Sequence, residues 1–400
     1  MKSTEIPKFG PLAGVKVVSV GMSVAGPYAP SLMADFGADV IFIENPAAPD
    51  VCRQAPGSSF EKERKNHRSL VLNIPTPEGK EALLAILKKA DILIETSKGG
   101  QWAKWGLTDE VLWQANPKLV IGHVSGFGQT GDPEYVARGS WDSIGQAFGG
   151  YMNLNGNPEP EPPAPAAPYT CDYLTAMSAC WSCLAAYIHA QKTGQGESID
   201  IAQFEAALTS HSYTQDYLTH GIERKRSGPK SVIAGWQGYQ CKDGQIFTCF
   251  IGPNTMKKGL PLIGLDPDAP EYKGKLYVLV GEPGSEAIVE AMKKFCAART
   301  VNEADLELNH NGIAASPIMT FEMMKTHPHY IAREEFIEWE TFGGYTFKST
   351  NIFPRMKNNP GKVWRPAPLF GMDNDDILEE AGLTPDQIKV LYENKVIAKA

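Results

Sequence analysis

Between residues 15 and 124 the chain alternates short apolar runs with helical patterns, and this alternation leaves few folds open. Residues 15–20, 39–44, 69–74, 91–95 and 118–124 read as buried strands, each a short run rich in Val, Ile and Leu. Helical patterns separate them: Pro27 through Asp35, Thr76 through Ala90, and a short one from Thr108 to Asn116. A strand, a helix and a second strand in that order form a βαβ unit, and such units build parallel sheets with right-handed crossovers. The repeated pattern predicts a doubly wound α/β domain, whose ligands bind beyond the carboxyl ends of the strands.

The second half begins with a proline-crowded stretch, residues 158–168, that reads as a surface connection. A helical pattern follows from Tyr173 to His189, with Thr170 as its expected N-cap. That places Asp172 in the first turn, where free N–H groups and the helix dipole favour a carboxylate. Residues 197–201 read as another strand and 203–218 as a helix. The character changes near Gly221 to short alternating strands and amphipathic helices, which predicts a smaller α+β domain. The expected division is residues 1–220 for the start of the large domain, 221–328 for the small one and 329–400 for a return segment. A last helix, 377–392, carries Pro385 at a break between two pieces.

A formal net charge of −8 argues against nucleic acid and anionic membrane as partners. No apolar h-region starts the chain and no run reaches a membrane span, so a cytoplasmic protein is expected. The seven cysteines are odd in number and scattered, which fits reduced thiols. Cys180 and Cys183 form a lone CxxC inside a helical pattern and read as core. No metal site is expected.

Several residues could carry chemistry. Glu44 ends the second strand, where an acid that binds ribose would sit. The preceding turn, Gly21 to Pro27, lacks GxGxxG, however, and Pro27 removes an N–H group. Lys62, Arg64, Lys65, His67 and Arg68 cluster between the second and third strands; Lys98 follows the fourth and Arg138 the fifth. Such a set is either a solvated face or a seat for a multi-phosphate anion. Lys98 has two Gly neighbours that would let a ligand approach, and the Trp141 ring could pack on an adenine or on the core. Cys171 could be a nucleophile of lowered pKa with His123 or His189 as base, or a small buried residue. Asp172 is either a dipole-complementing residue or a nucleophile.

Six segments in order resemble the family III CoA-transferases, also called the CaiB/BaiF family. They are Gly21-x-x-x-Ala25-Gly26-Pro27, residues 33–41 (MADFGADVI), Asn66-His67-Arg68-Ser69-Leu70, residues 126–131 (GFGQTG), Tyr169-Thr170-Cys171-Asp172-Tyr173, and residues 194–202 (GQGESIDIA). Lys357 to Gly361 and Gly371-Met372-Asp373 extend the likeness, which is nearest the carnitine, bile-acid and 2-hydroxyacid branch. The resemblance implies a large Rossmann-like domain built from both chain ends, a small middle domain, and two chains interlocked as a homodimer. It implies Asp172 as the catalytic group. It implies CoA contacts near Val24, Ala25, Leu72, Asn73, Lys98, and Trp105 or Lys104. In place of the Arg of close relatives stands Trp105, and a four-glycine loop of some members corresponds to residues 234–239 with two glycines.

The implied reaction moves CoA from an acyl-CoA to a small carboxylic acid through an aspartyl anhydride and an aspartyl-CoA thioester. CoA is then a substrate, with no permanently bound cofactor. A 2-hydroxyacid such as 2-hydroxyisocaproate, in amino-acid fermentation, is the first expectation for the acceptor; carnitine and bile acids are alternatives. An acyl-CoA racemase of the same fold would pair Asp172 with a base such as His123 and exchange the α-proton. A non-catalytic CoA-binding protein would bind CoA and exchange nothing.

Overall fold

The computed structural model describes residues 1–54 and 59–399. The chain divides into two compact units. The larger takes residues 1–152, 165–223 and 334–400; the smaller takes 153–164 and 224–333.

The larger unit is built on six strands: β1 (Lys16–Val20), β2 (Asp39–Glu44), β3 (His67–Val71), β4 (Ile92–Thr96), β5 (Val120–Ser125) and β6 (Ser198–Ala202). Their order is β3-β2-β1-β4-β5-β6, and every neighbouring pair is parallel. The connecting helices are α1 (Tyr28–Ala34), α2 (Ser59–Arg64), α3 (Pro77–Leu87), α4 (Gln101–Lys104), α5 (Asp109–Ala115), α6 (Pro133–Val136), α7 (Asp142–Phe148) and α8 (Thr170–Thr193). After β6 come α9 (Gln203–Thr209) and α10 (Tyr213–His220), two helices where one pattern suggested a single helix. Chain direction along the sheet reverses between β1 and β4, the point at which such sheets open a crevice.

Both faces of the sheet are covered, which is why the strands read as nearly continuous apolar runs. Val18, Ile41, Ile43, Leu70, Leu93 and Ile121 pack on one side with Leu83 and Leu87 of α3, Leu112 of α5 and Ile377 near the C-terminus. Val17, Val40, Ile92, Ile94, Val120 and Val124 point the other way, to Ala29 and Met33 of α1 and to Ala176, Ala179 and Cys183 of α8. The period-two alternation of strand side chains makes this division. Each fully buried Leu or Ile contributes about 1.5–3 kcal/mol. α8 is not buried all round: Met177, Trp181 and Ile188 are exposed.

β3 is an edge strand, and its free N–H groups need partners. The C-terminal segment supplies them. Ser69 N–H donates to Asp373 Oδ2 at 2.8 Å and Val71 N–H to Asn374 Oδ1 at 2.9 Å. Asp373 N–H returns a bond to Ser69 O at 3.1 Å. Asn66 has a positive φ of 65° and accepts from Trp364 and Arg365 N–H through Oδ1. Residues 334–400 thus complete the sheet's edge in the larger unit.

The basic cluster corrects an expectation. His67 and Arg68 lie in β3 rather than on a phosphate-facing loop. Arg64 pairs with Asp50 at 2.9 Å, Lys65 with Asp35 at 2.8 Å, and Arg68 with Asp39 at 2.7 Å and Glu380 at 2.9 Å. Burial holds His67 well below its usual range, at about 3, so it is neutral. These charges are internal because each meets a carboxylate brought from another element. Lys62 is half-buried beside the Tyr173 ring.

The smaller unit has an antiparallel sheet of Gln237–Gln240, Gln245–Cys249 and Ala314–Pro317. Helices Ser285–Ala297 and Val301–His310 contribute Ile288, Met292, Phe295 and Leu308 to its core with Ile246 and Phe250. The second helix opens with a Thr300/Glu303 capping box. This unit also takes residues 153–164, most of the proline-crowded stretch, because Arg226 donates to Asn157 O and Glu161 O. No helix among the described residues is long and apolar enough to cross a membrane.

Replacing Arg68 with Ala leaves Asp39 and Glu380 without their shared cation. The expected cost is about 3–5 kcal/mol, read as a lower denaturant midpoint in equilibrium unfolding. An unchanged midpoint would show that this pairing does not hold the C-terminal segment to β3.

Candidate active site

α8 begins at the carboxyl ends of the strands because it runs back along the sheet toward the start of β6. Its N-cap is Tyr169, in a left-handed conformation with φ 64°, and not Thr170. Thr170 Oγ1 instead donates to Ala167 O at 2.7 Å. The capping acceptor comes from α7. Asp142 Oδ1 accepts from Cys171 N–H at 2.7 Å and from Asp172 N–H at 3.1 Å. Asp142 Oδ2 accepts from Gln146 Nε2 at 2.6 Å, and Gln146 Oε1 accepts from Ala166 N–H at 2.8 Å. One carboxylate therefore satisfies two of the free N–H groups at the helix start.

Asp172 is 4% exposed. Burial raises its carboxyl to about 7, and the nearby charge of Asp142 adds to the rise; a hydrogen bond from Gln203 opposes it. The helix dipole was expected to keep this group ionised, and here burial beside a second carboxylate outweighs the dipole. The group therefore titrates near neutrality, where a carboxylate is both available and more basic than usual.

Asp172 borders two clefts. The first, about 580 Å3, gathers Ala25, Lys98, Trp105 and Arg138 with it, and also includes Trp141 and Gln203. It lies where the loops after β1, β4 and β5 meet, the crevice expected at the strand-order reversal. The second, about 430 Å3, is walled by Trp141, Pro165, Pro168 and Tyr169, with Asp142 and Asp172 at its base. Its lining contains no cation. Trp141 borders both clefts.

Four other residues expected near CoA do not line the first cleft. Val24 and Leu72 are 1% exposed in the core. Asn73 donates its N–H to Val396 O at 2.7 Å, and Lys104 is exposed on α4. The Lys98 loop also differs from expectation. A Cβ on Gly99 would sit 2.3 Å from Val136 Cγ1 and 2.6 Å from Gly128 O, so its close approach is to protein. Arg138 pairs with Glu134 and lies 3.9 Å from the Tyr135 ring centre.

The other candidates find structural partners. Glu44 binds Arg53 through both oxygens, at 2.8 and 2.6 Å. Cys171 is buried, and burial with the charges of Asp142 and Asp172 pushes its thiol up to about 12, the reverse of the lowering expected at a helix start. Its Sγ–H donates to Gln203 O. His123 has both ring nitrogens occupied, Nδ1 with Glu95 Oε1 at 2.8 Å and Nε2 with Asp109 Oδ1 at 2.9 Å. Burial disfavours its cation, but these bonds prevail and raise it to about 9. Neither nitrogen is left to take a proton from a thiol or from a substrate carbon. His189 is exposed, about 27 Å along α8 from Cys171 at 1.5 Å per residue. Cys180 and Cys183 are free thiols on α8, Cys183 fully buried.

Sequence reasoning missed Asp142, Ser140 and Gln203. Gln203 follows β6 directly, and the end of a parallel strand is the signal that could have marked it. Asp142 has the weaker signal of an acid beginning a short helical pattern. Among the described residues no group of three His, Cys, Asp or Glu side chains is arranged to hold a metal ion.

With this geometry in hand, known proteins can be set beside the chain. The family model described as CoA-transferase family III matches residues 12–374. The bile acid CoA-transferase BaiK of Clostridium scindens is 40% identical, over 97% of this chain and 90% of the relative. The L-carnitine CoA-transferase of Proteus mirabilis is 41% identical, over 98% of each. The crystal structure of a CAIB/BAIF family protein from Brucella suis superposes with a TM-score of 0.77 at 26% identity, covering 93% of this chain and all of that one. The chain belongs to CoA-transferase family III.

Proposed function

We propose that the protein transfers CoA from an acyl-CoA to a carboxylic acid with Asp172 as the covalent nucleophile. The observation that carries this reading is the position of Asp172, a neutral-range carboxylate shared by a cleft with two cations and a cleft with none. Lys98 and Arg138 suit the phosphates of CoA, and the Trp105 and Trp141 faces suit its base. The walls of the second cleft suit the remainder of an acid whose own carboxylate faces Asp172.

The reaction is a chain of acyl exchanges. An Asp172 oxygen attacks the thioester carbon; the C–S bond breaks and CoA leaves as thiolate with the electron pair. The product is a mixed anhydride. The thiolate attacks Asp172 Cγ, and the donor acid departs as a carboxylate with the bridging oxygen. The acceptor carboxylate then attacks Cγ of the aspartyl thioester and expels the thiolate. Attack of the thiolate on the acceptor's acyl carbon releases the new acyl-CoA and restores the Asp172 carboxylate. Bond types are exchanged without net loss, so no nucleotide is consumed.

The acceptor belongs to the monocarboxylates, since a second anionic group would enter a cleft with Asp142 and Asp172 and no cation. L-Carnitine and bile acids, named for the two relatives, and 2-hydroxyisocaproate fall in this class. A cytoplasmic homodimer is part of the same proposal. The exposed Met177, Trp181 and Ile188 of α8 support a second copy, and light scattering is expected to give twice the chain mass; a monomer would remove that part.

Incubation with one acyl-CoA and a panel of carboxylates, read by mass, tests the activity. Monocarboxylates are expected to accept CoA and dicarboxylates to fail, and Asp172→Ala is expected to lose exchange with every acid. Full turnover by Asp172→Ala would end the aspartyl mechanism.

The pH dependence follows from the raised carboxyl. The working form is the carboxylate, so activity is present above about 7 and lost below it. On the acid side kcat/KM is expected to fall about tenfold per pH unit. Asp142→Asn keeps an oxygen for the helix start and removes the neighbouring charge, so the acid limb should move to lower pH. A limb that stays in place would show that Asp142 does not set the titration.

A further inference from the structure

On the aspartyl reading above, we infer that Gln203 is a further catalytic residue, which holds Asp172 by Oδ1, leaves Oδ2 to attack, and stabilises charge on Oδ1 whenever Cγ is attacked. Gln203 is the first residue of α9, directly after β6, and is 3% exposed. Its Nε2 donates to Asp172 Oδ1 at 2.5 Å. Its Oε1 accepts from Ser140 Oγ, also at 2.5 Å. The two contacts fix the amide's orientation, since a flipped amide would set its carbonyl oxygen against an ionised carboxylate. Its backbone oxygen accepts from Cys171 Sγ at 3.3 Å, which fastens the residue to the start of α8.

Two glycines make room for this arrangement. A Cβ on Gly145 would lie 2.7 Å from Gln203 Cγ, and a Cβ on Gly126 would lie 2.3 Å from Ser140 Cβ. Larger residues there would displace the amide or the hydroxyl that orients it. Among the described residues no side-chain or backbone donor reaches Asp172 Oδ2. That oxygen is therefore the free one on a side chain that borders the cleft.

The division of labour follows the electrons. Oδ2 forms the bond to the acyl carbon as the C–S bond breaks, and Oδ1 remains as the carbonyl oxygen of the anhydride. When CoA thiolate adds to Cγ, the C=O pair moves onto Oδ1, where the Gln203 N–H already donates. The intermediate collapses by returning that pair and expelling the donor carboxylate with Oδ2. Attack by the acceptor carboxylate on the thioester uses Oδ1 in the same way, with the thiolate leaving. The bond strengthens as charge appears, so it acts on the transition state more than on the bound substrate.

Gln203→Leu and Gln203→Met in the full-length protein test the assignment, the Met variant being the closer in shape. Both are expected to lower kcat about 100- to 1000-fold while KM for acyl-CoA changes little. Both should also move the acid limb of the pH profile upward, because a donor that favours the ionised Asp172 is gone. Ser140→Ala should lower kcat less, as it only frees the amide to turn. A structural role would instead lower Tm and raise KM with the acid limb unmoved, and that result would overturn the inference. So would wild-type turnover in either Gln203 variant when Asp172→Ala is inactive. Exchange retained by Asp172→Ala would mark the failure of the aspartyl reading itself, whatever the Gln203 variants do.

Discussion

A parallel sheet has no free face, and most of this chain's architecture follows from that constraint. Strands β1, β2, β4 and β5 send alternate side chains to two cores, one closed by α3, α5 and C-terminal residues, the other by α1 and α8. Crossover helices run opposite to the strands, so the N-terminus of α8 arrives where the strands end. The site is placed by this geometry before any polar group is considered. α8 approaches β5 closely enough that a Cβ on Gly122 would lie 2.8 Å from Cys183 Sγ. The helix that carries Asp172 is thereby seated on the sheet, and a small change in its position would be felt at its first turn.

The same constraint explains the buried charges. An edge strand in a covered sheet leaves donors that water cannot reach, and Asp373 and Asn374 reach across to meet them. Arg64, Lys65 and Arg68 join elements far apart in sequence through carboxylates. At the other end of the sheet, polar groups are balanced differently. Asp142 relieves two free N–H groups of α8 yet places a negative charge beside Asp172. The local cost is a carboxyl that resists ionisation, and the consequence is a carboxylate of unusual basicity.

Much of the fold was legible in the sequence because strands and helices differ in apolar period, and five strands of β1 to β6 fall before residue 130 in that alternation. Boundaries moved by a few residues: the third strand is His67–Val71 rather than 69–74, since a buried ion pair allows Arg68 inside. The long pattern from residue 203 broke into two helices. Asp172 stood out through its place at a helix start and through the resemblance of its neighbours. The basic cluster misled because a run of Lys and Arg carries no record of the acids that meet it. The roles of Asp142 and Gln203 were not legible, because they arise from contacts 30 and 31 residues away from Asp172.

The sequence by itself determined the element types, the parallel connection of the strands, and the family, since these rest on local period and on motifs in order. Only the tertiary structure decided which charges are internal, which carboxylate caps α8, and which oxygen of Asp172 is held. It also decided that the Asp172 carboxyl titrates near 7 rather than being kept ionised by the helix dipole. The reason is physical. Period and composition report how each residue relates to its neighbours in the chain, whereas burial and charge proximity depend on groups that folding alone brings together.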